Sequence, residues 1–277
     1  MNRLWTQIFG RGLVETAENF GVNGAAPTHP EVLDQLAHDF AHGYDDTAPW
    51  DTHALLRRLV LSATFRQGSS TSEAKRARDP SNELLARGPS VRLSAEQLRD
   101  GALLSSGLLV EKLGGPSVKP WQQAGLVSDA GGPGGYTPDT GDAAHRRSLY
   151  TYRKRTVPPP TMLAFDAGSR EACMPRRSST NTPLQVLALM NDPVFTECAE
   201  ALAGRVMREL GDAVDLRDAR IVRAFRLACA REPSSVELDA LRALVASRVA
   251  SGEHDERTAL ALAATTIFAS DGMVMSR

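Results

Sequence analysis

Residues 146–193 read RRSLYTYRKRTVPPPTMLAFDAGSREACMPRRSSTNTPLQVLALMNDP. Before residue 192, Arg146, Arg147, Arg153, Lys154, Arg155, Arg170, Arg176 and Arg177 share this stretch with only two carboxylates, Asp166 and Glu171. Guanidinium groups bind sulfate, phosphate or carboxylate through paired N–H donors. Thr180-Asn181-Thr182-Pro183 leads into a helix start, where free amides also favour an anion. Pro158–Pro160 fix the backbone and withhold three amide donors. The stretch therefore reads as an ordered loop presenting polar groups at set positions. Arg146, Arg147, Arg170, Arg176, Arg177 and Asn181 are the ligand-binding candidates. Asp166 and Glu171 fit an acid–base pair, and fit equally well two carboxylates that pin the loop through ion pairs. The residues alone leave both readings open.

A second constellation is Asn19-Phe20-Gly21-Val22-Asn23-Gly24, followed by Pro27-Thr28-His29-Pro30. Gly21 and Gly24 predict turns with positive φ. His29 stands just before a helix start, either facing a ligand or as a satisfied hydrogen-bonding residue beside a Thr28 cap. It joins Asp166 and Glu171 as a catalytic candidate, and Asn23 joins the ligand-binding set. The 19–29 loop is expected to close over the 166–182 loop, with His29 at the rim. Cys173 is flanked by arginines that would lower a thiol pKa, but a nucleophile also needs a base, for which only His29 offers itself. The simpler reading of Cys173, Cys198 and Cys229 is three small buried apolar residues, with one disulfide open to an exported chain.

Several chemistries are excluded by spacing. No CxxC or CxxCH occurs, which removes zinc ribbons and c-type haem. There is no Ser-His-Asp signature and no phosphate loop. His38 and His42 lie four apart, but HDFAH lacks the glutamate of a metalloprotease and reads as a solvated face. Neither a cofactor nor a metal is expected.

Composition sets the frame for these sites. The 277 residues hold 42% hydrophobic and 23% charged residues, ordinary for a folded chain, with a net charge of -1. A near-neutral chain has no global field for nucleic acid, so the basic bias is local. Aromatics are scarce at 5%. No apolar run approaches the ~18 residues of a membrane span. MNRLWTQIFGRG is too short and polar for a signal peptide. Met1–Trp5 resembles the middle of a helix without a cap, as though the chain were a fragment, which leaves Trp5, Ile8 and Phe9 short of partners.

The elements that must position these residues are helical. Pro30 opens a helix with Val32, Leu33, Leu36 and Phe40 on one face. Asp51 caps the next, and Ser94 with Gln97 forms a capping box for a helix expected to stop at Gly114-Gly115-Pro116. Residues 114–145 form a Gly/Pro-rich excursion, expected to be mobile. Pro183 opens one helix and Asp192-Pro193 caps and opens another. Further helices run from Leu216 to Ala230, from a Ser234 or Ser235 cap, and from Glu256 to Ala269. SLYTY at 148–152 is the sole strand candidate. The fold class is all-α: one irregular multi-helix domain over 1–277, with long ordered loops and at most a minor short strand pair.

NRLWTQIFGRGLVETAENFGVNGAAPTHPEVLDQLA, LLRRLVLSATFRQ, NELLARGPSVRLSAEQLRD, SGLLVEKLGGPSVKP, RRSLYTYRKRTVPPPTMLAFDAGSREAC and TNTPLQVLALMNDPVF are long and compositionally odd. In these segments the chain resembles the planctomycete family called domain of unknown function 1553. Two departures are an upstream helix missing before Asn2 and Phe268-Ala269-Ser270-Asp271-Gly272 at the close. The resemblance implies an exported or periplasmic multidomain protein in which this domain follows a cytochrome-c-like domain and a second domain of unknown function. It also implies a setting near polysaccharide degradation, including that of sulfated glycans. It implies no established activity. The resulting expectation is a non-catalytic helical module that binds an acidic or sulfated glycan or docks those upstream domains. The rival is a hydrolase-type enzyme acting on polysaccharide through Asp166, Glu171, Arg170 and His29.

Overall fold

The computed structural model describes residues 1–277 except 124, 126–135, 155–156, 169, 171–173, 175–176, 253–254 and 277. The described residues form an all-α protein that divides into two compact units, Met1–Arg92 with Met275–Arg277, and Leu93–Val274.

The first unit holds α1 (Asn2–Phe9), α2 (Pro30–His42), α3 (Thr52–Leu61) and α4 (Glu73–Arg78). It also holds the short antiparallel ladder of β1 (Val91–Arg92) and β2 (Met275–Ser276), with Val91 opposite Ser276 and Arg92 opposite Met275. Trp5, Leu13, Leu36, Leu55 and Leu59 form its core. Trp5 is only 5% exposed and stacks on Phe9 at 4.1 Å, and Ile8 and Phe9 pack on the same cluster. These residues thus have packing partners inside the first unit. No side chain caps α1, and Asn2 secures its start in another way. Its side chain accepts from the Val14 amide at 3.0 Å and donates to the Val14 carbonyl at 2.9 Å, tying the start of α1 to the segment after it.

The second unit is built around α8 (Pro193–Leu210), which packs on α5 (Ala95–Ser106) and α11 (Glu256–Phe268). α6 (Pro160–Ala164), α7 (Pro183–Asn191), α9 (Arg217–Cys229), α10 (Ser235–Ala250) and α12 (Asp271–Val274) complete it. Its core includes Leu98, Leu103, Phe195, Leu202, Phe225 and Phe268. Asp192 caps α8 through the Val194 amide at 2.8 Å, with Pro193 at the first helical position. Arg220 has no exposure. Its guanidinium meets Glu256 at 3.0 Å, and Glu256 also receives Arg217 at 2.6 Å, so one carboxylate is shared by two cations beside the core.

Three local expectations are corrected. α5 ends at Ser106, not at Gly114, because Gly107 takes φ 81° and its amide turns back to the Leu103 and Leu104 carbonyls. Ser148–Tyr150 is a turn of 3-10 helix, not a strand, since the Ser148 amide is taken by Asp100 at 2.7 Å; only Thr151 bridges to Val118. Pro160, expected in a loop, opens α6. The excursion of 114–145 lies partly outside the described residues. Its described flanks are tied together by Asp139 and Lys119, with backbone and carboxylate bonds of 2.8 and 2.7 Å.

Candidate functional site

Glu96 sits in the first turn of α5, whose start is fixed by the Ser94–Gln97 capping box. Its Oε2 accepts from Arg177 Nη1 at 2.8 Å, and its Oε1 lies 3.9 Å from Arg153 Nη2. Arg153 is nearly buried. Its guanidinium donates to the Gly168 carbonyl at 2.9 Å and contacts Met162 Sδ at 3.3 Å. Burial lowers the Arg153 pKa, and the positive field of Arg170 lowers it further, with Glu96 opposing and Arg177 adding to the fall. Arg170 itself is exposed, has no side-chain partner among the described residues, and holds a left-handed φ of 63°. Arg177 and Arg153 thus share one described carboxylate, and Arg170 adds its positive charge beside Arg153. Burial raises the Glu96 pKa, but the Arg177 hydrogen bond and the two nearby positive charges outweigh it and hold the carboxyl below its ordinary value.

The 166–180 loop that carries Arg170 and Arg177 is closed by a separate set of bonds. Asp166, also left-handed at φ 58°, accepts from the Thr180 amide at 2.7 Å and from its hydroxyl at 2.9 and 3.0 Å. Buried Gln185 then donates to the Thr180 hydroxyl at 3.1 Å and to the Ala164 carbonyl at 2.8 Å, while accepting from the Thr182 amide. Phe165 and Ala167 anchor the loop's root in the core. Asp166 therefore holds the loop through Thr180, and its carboxylate pairs with no arginine among the described residues.

The remaining candidates fall in different settings. Arg146 is buried, its guanidinium donating to the carbonyls of Pro116, Lys112 and Gly114 at 3.0, 2.8 and 2.5 Å and lying 3.9 Å over the Tyr150 ring. Arg147 is half-exposed with its Nε 3.5 Å from Asp100. Asn181 is exposed just before the Thr182 cap of α7. His29 and Asn23 belong to the first unit, while the arginines and Asp166 belong to the second. His29 Nδ1 lies 3.0 Å from the Thr28 hydroxyl, and Asn23 is exposed. Neither Gly21 nor Gly24 takes the positive φ expected of it; Gly24 is required for space, since a Cβ there would fall 2.1 Å from the Asn19 carbonyl. Glu171, Arg176 and Cys173 lie outside the described residues. Cys198 is buried, and burial pushes its thiol up to about 12, an inert side chain. His38 and His42 stack on the exposed face of α2 at 4.4 Å. No cluster of three His, Cys, Asp or Glu suited to a metal occurs among the described residues, nor is any described helix long and apolar enough to cross a membrane.

Arg153, Glu96 and Gln185 were not singled out from sequence. Gln185 had a signal, because Thr182-Pro-Leu-Gln185 has the spacing of a capping box. Glu96 had none, since 81 residues separate it from Arg177.

A family model described as PSD1, protein of unknown function (DUF1553), matches residues 1–245. No curated protein and no solved structure matches the chain.

Proposed function

The chain belongs to this PSD1 family (DUF1553), and from that premise we propose that it is a helical module of an exported multidomain protein that binds an anionic ligand such as an acidic or sulfated glycan. The supporting observation is the charge imbalance around Glu96. Arg153 and Arg177 meet there, with the charge of Arg170 felt at Arg153, and among the described residues only the Arg177 contact with Glu96 is a close ion pair. Arg170 and Arg177, with Asp166 and Thr180 bonded to each other, offer guanidinium groups that suit sulfate or carboxylate. Arg170 is the group free to reach a ligand, and the backbone holds it in the costly left-handed region. Arg153 is too enclosed to follow a ligand and instead sets the local field.

The test is a calorimetric titration of the whole protein with a sulfated oligosaccharide and with its desulfated counterpart. Saturable binding of the sulfated form, weakened by salt and absent from the desulfated form, is expected. Equal affinity for both forms, or none for either, would falsify the reading.

A further inference from the structure

A cavity of about 120 Å³ lies among α5, residues 120–123, α6 and the start of α8. None of the side chains lining it belongs to the arginine group at Glu96. Met162, Phe165 and Phe195 give it apolar walls. Two of its lining residues are buried polar side chains with unused donors. Arg99, 6% exposed, spends its Nη atoms on the Arg146 carbonyl at 2.8 Å, the Ser148 hydroxyl at 3.2 Å and the Ala144 carbonyl at 2.6 Å, yet its Nε has no partner among the described residues. Gln122, 5% exposed, leaves its Nε2 without a partner among the described residues as well. Buried donors without acceptors are costly and are normally satisfied by water or a ligand.

Charge decides the class of molecule. Arg99 already has Asp100 3.9 Å from its Nη1. A second carboxylate, Asp192, lines the cavity, and among the described residues its oxygens take only the Val194 amide and the Thr161 hydroxyl. An anion entering here would meet Asp192, whereas a cation would meet the Arg99 guanidinium. A neutral molecule avoids both. Its oxygen can accept from Arg99 and Gln122, any donor it carries can reach the spare lone pairs of Asp192, and its body can fill the aromatic wall. A cavity of roughly 150 Å³ accommodates benzene, so this smaller one suits a molecule of at most about six non-hydrogen atoms.

We propose that this cavity is a binding site for a small neutral molecule with a carbonyl or amide group on a short apolar body, held by Arg99 Nε and Gln122 Nε2. Such a ligand differs in charge and in place from the anion proposed at the Glu96 arginines, so either reading can fail without the other.

The experiment titrates the whole protein with butyramide and, separately, with butyrate, following the Arg99 Nε–H resonance by nuclear magnetic resonance. Butyramide is expected to shift that resonance saturably, and butyrate to bind at least about tenfold more weakly. Gln122→Leu should weaken butyramide by about tenfold, the effect of one lost hydrogen bond. The Arg99 signal in the unmutated protein decides the matter even if the variant does not fold. An Arg99 resonance unmoved by butyramide overturns the proposal, because water alone would then serve the two donors. Butyrate binding as tightly as butyramide, or tighter, overturns the neutral class.

Discussion

Arg177 donates to Glu96 at 2.8 Å across 81 residues of sequence, and this pair ties the 166–180 loop to the first turn of α5. Arg177 is half-exposed, so the pair adds little stability, of order 0–1 kcal/mol. What it does is aim the loop. Arg177→Ala should therefore leave the melting temperature nearly unchanged while weakening a sulfated oligosaccharide by about 1.5–3 kcal/mol, the range for a charged hydrogen bond. Paired thermal melts and titrations check this; a large drop in melting with unchanged affinity would reverse the assignment.

Arg170 separates conformation from charge. At φ 63° an arginine is strained and a glycine is not. Arg170→Gly is expected to gain up to about 1 kcal/mol of stability and to lose ligand affinity, so the two quantities should move in opposite directions. Loss of both together would show that the side chain supports the fold.

Arg146 should behave in the opposite way. Its guanidinium holds three carbonyls of residues 112–116 and covers the Tyr150 ring. Lysine cannot present that many donors in a plane. Arg146→Lys is expected to destabilise by about 2–3 kcal/mol in urea unfolding, since at least two buried acceptors lose their donor. Destabilisation below about 0.5 kcal/mol would refute this account.

A left-handed alanine closes α9. Ala230 takes φ 54° at the C-cap, the position at which glycine carries no Cβ penalty. Ala230→Gly should stabilise by about 0.5–1 kcal/mol. A chemical denaturation midpoint that falls instead would mean the methyl group packs better than its backbone angle suggests.

Acid stability should carry the mark of Glu237. Arg231 grips this carboxylate at 2.6 and 2.8 Å and Ser234 adds two more donors, so that, despite some burial, its pKa falls from 4.5 to about 2. The unfolded chain then binds the proton more readily than the folded one. The stabilisation is complete above about 4.5 and drains away as pH falls toward about 2. Urea unfolding of Glu237→Gln across that window should show a shallower loss of stability than the unmutated protein. Identical slopes for the two proteins would remove Glu237 from the account.

What could be read from sequence was local. Ser94 and Gln97, Asp192 and Pro193, and Ser234 and Glu237 announce their helix starts because a cap and its partner lie within three residues of each other. The end of α5 was misplaced because Gly107 and Gly114 are both suitable stops, and only the packing of Leu108 and Leu109 against the core favours the first. The arginine excess was visible. Its counter-charge was not, because Glu96 comes from another element. Nor could sequence separate Arg146, which is buried against backbone carbonyls, from Arg170, which is exposed, since both are arginines in one basic run. The β1–β2 ladder was likewise illegible, as two residues per strand give no alternating pattern.

That ladder has a bearing on synthesis. β1 ends at Arg92 and β2 begins at Met275, so the whole second unit emerges from the ribosome between two halves of one pairing. The second unit brings its own ends together, with the Leu93 amide donating to the Val274 carbonyl at 2.9 Å. Its folding thus turns a 182-residue separation between the strands into a short gap, sparing the first unit most of the closure entropy that a flexible loop of that length would impose. The first unit starts ahead of the second yet is completed after it.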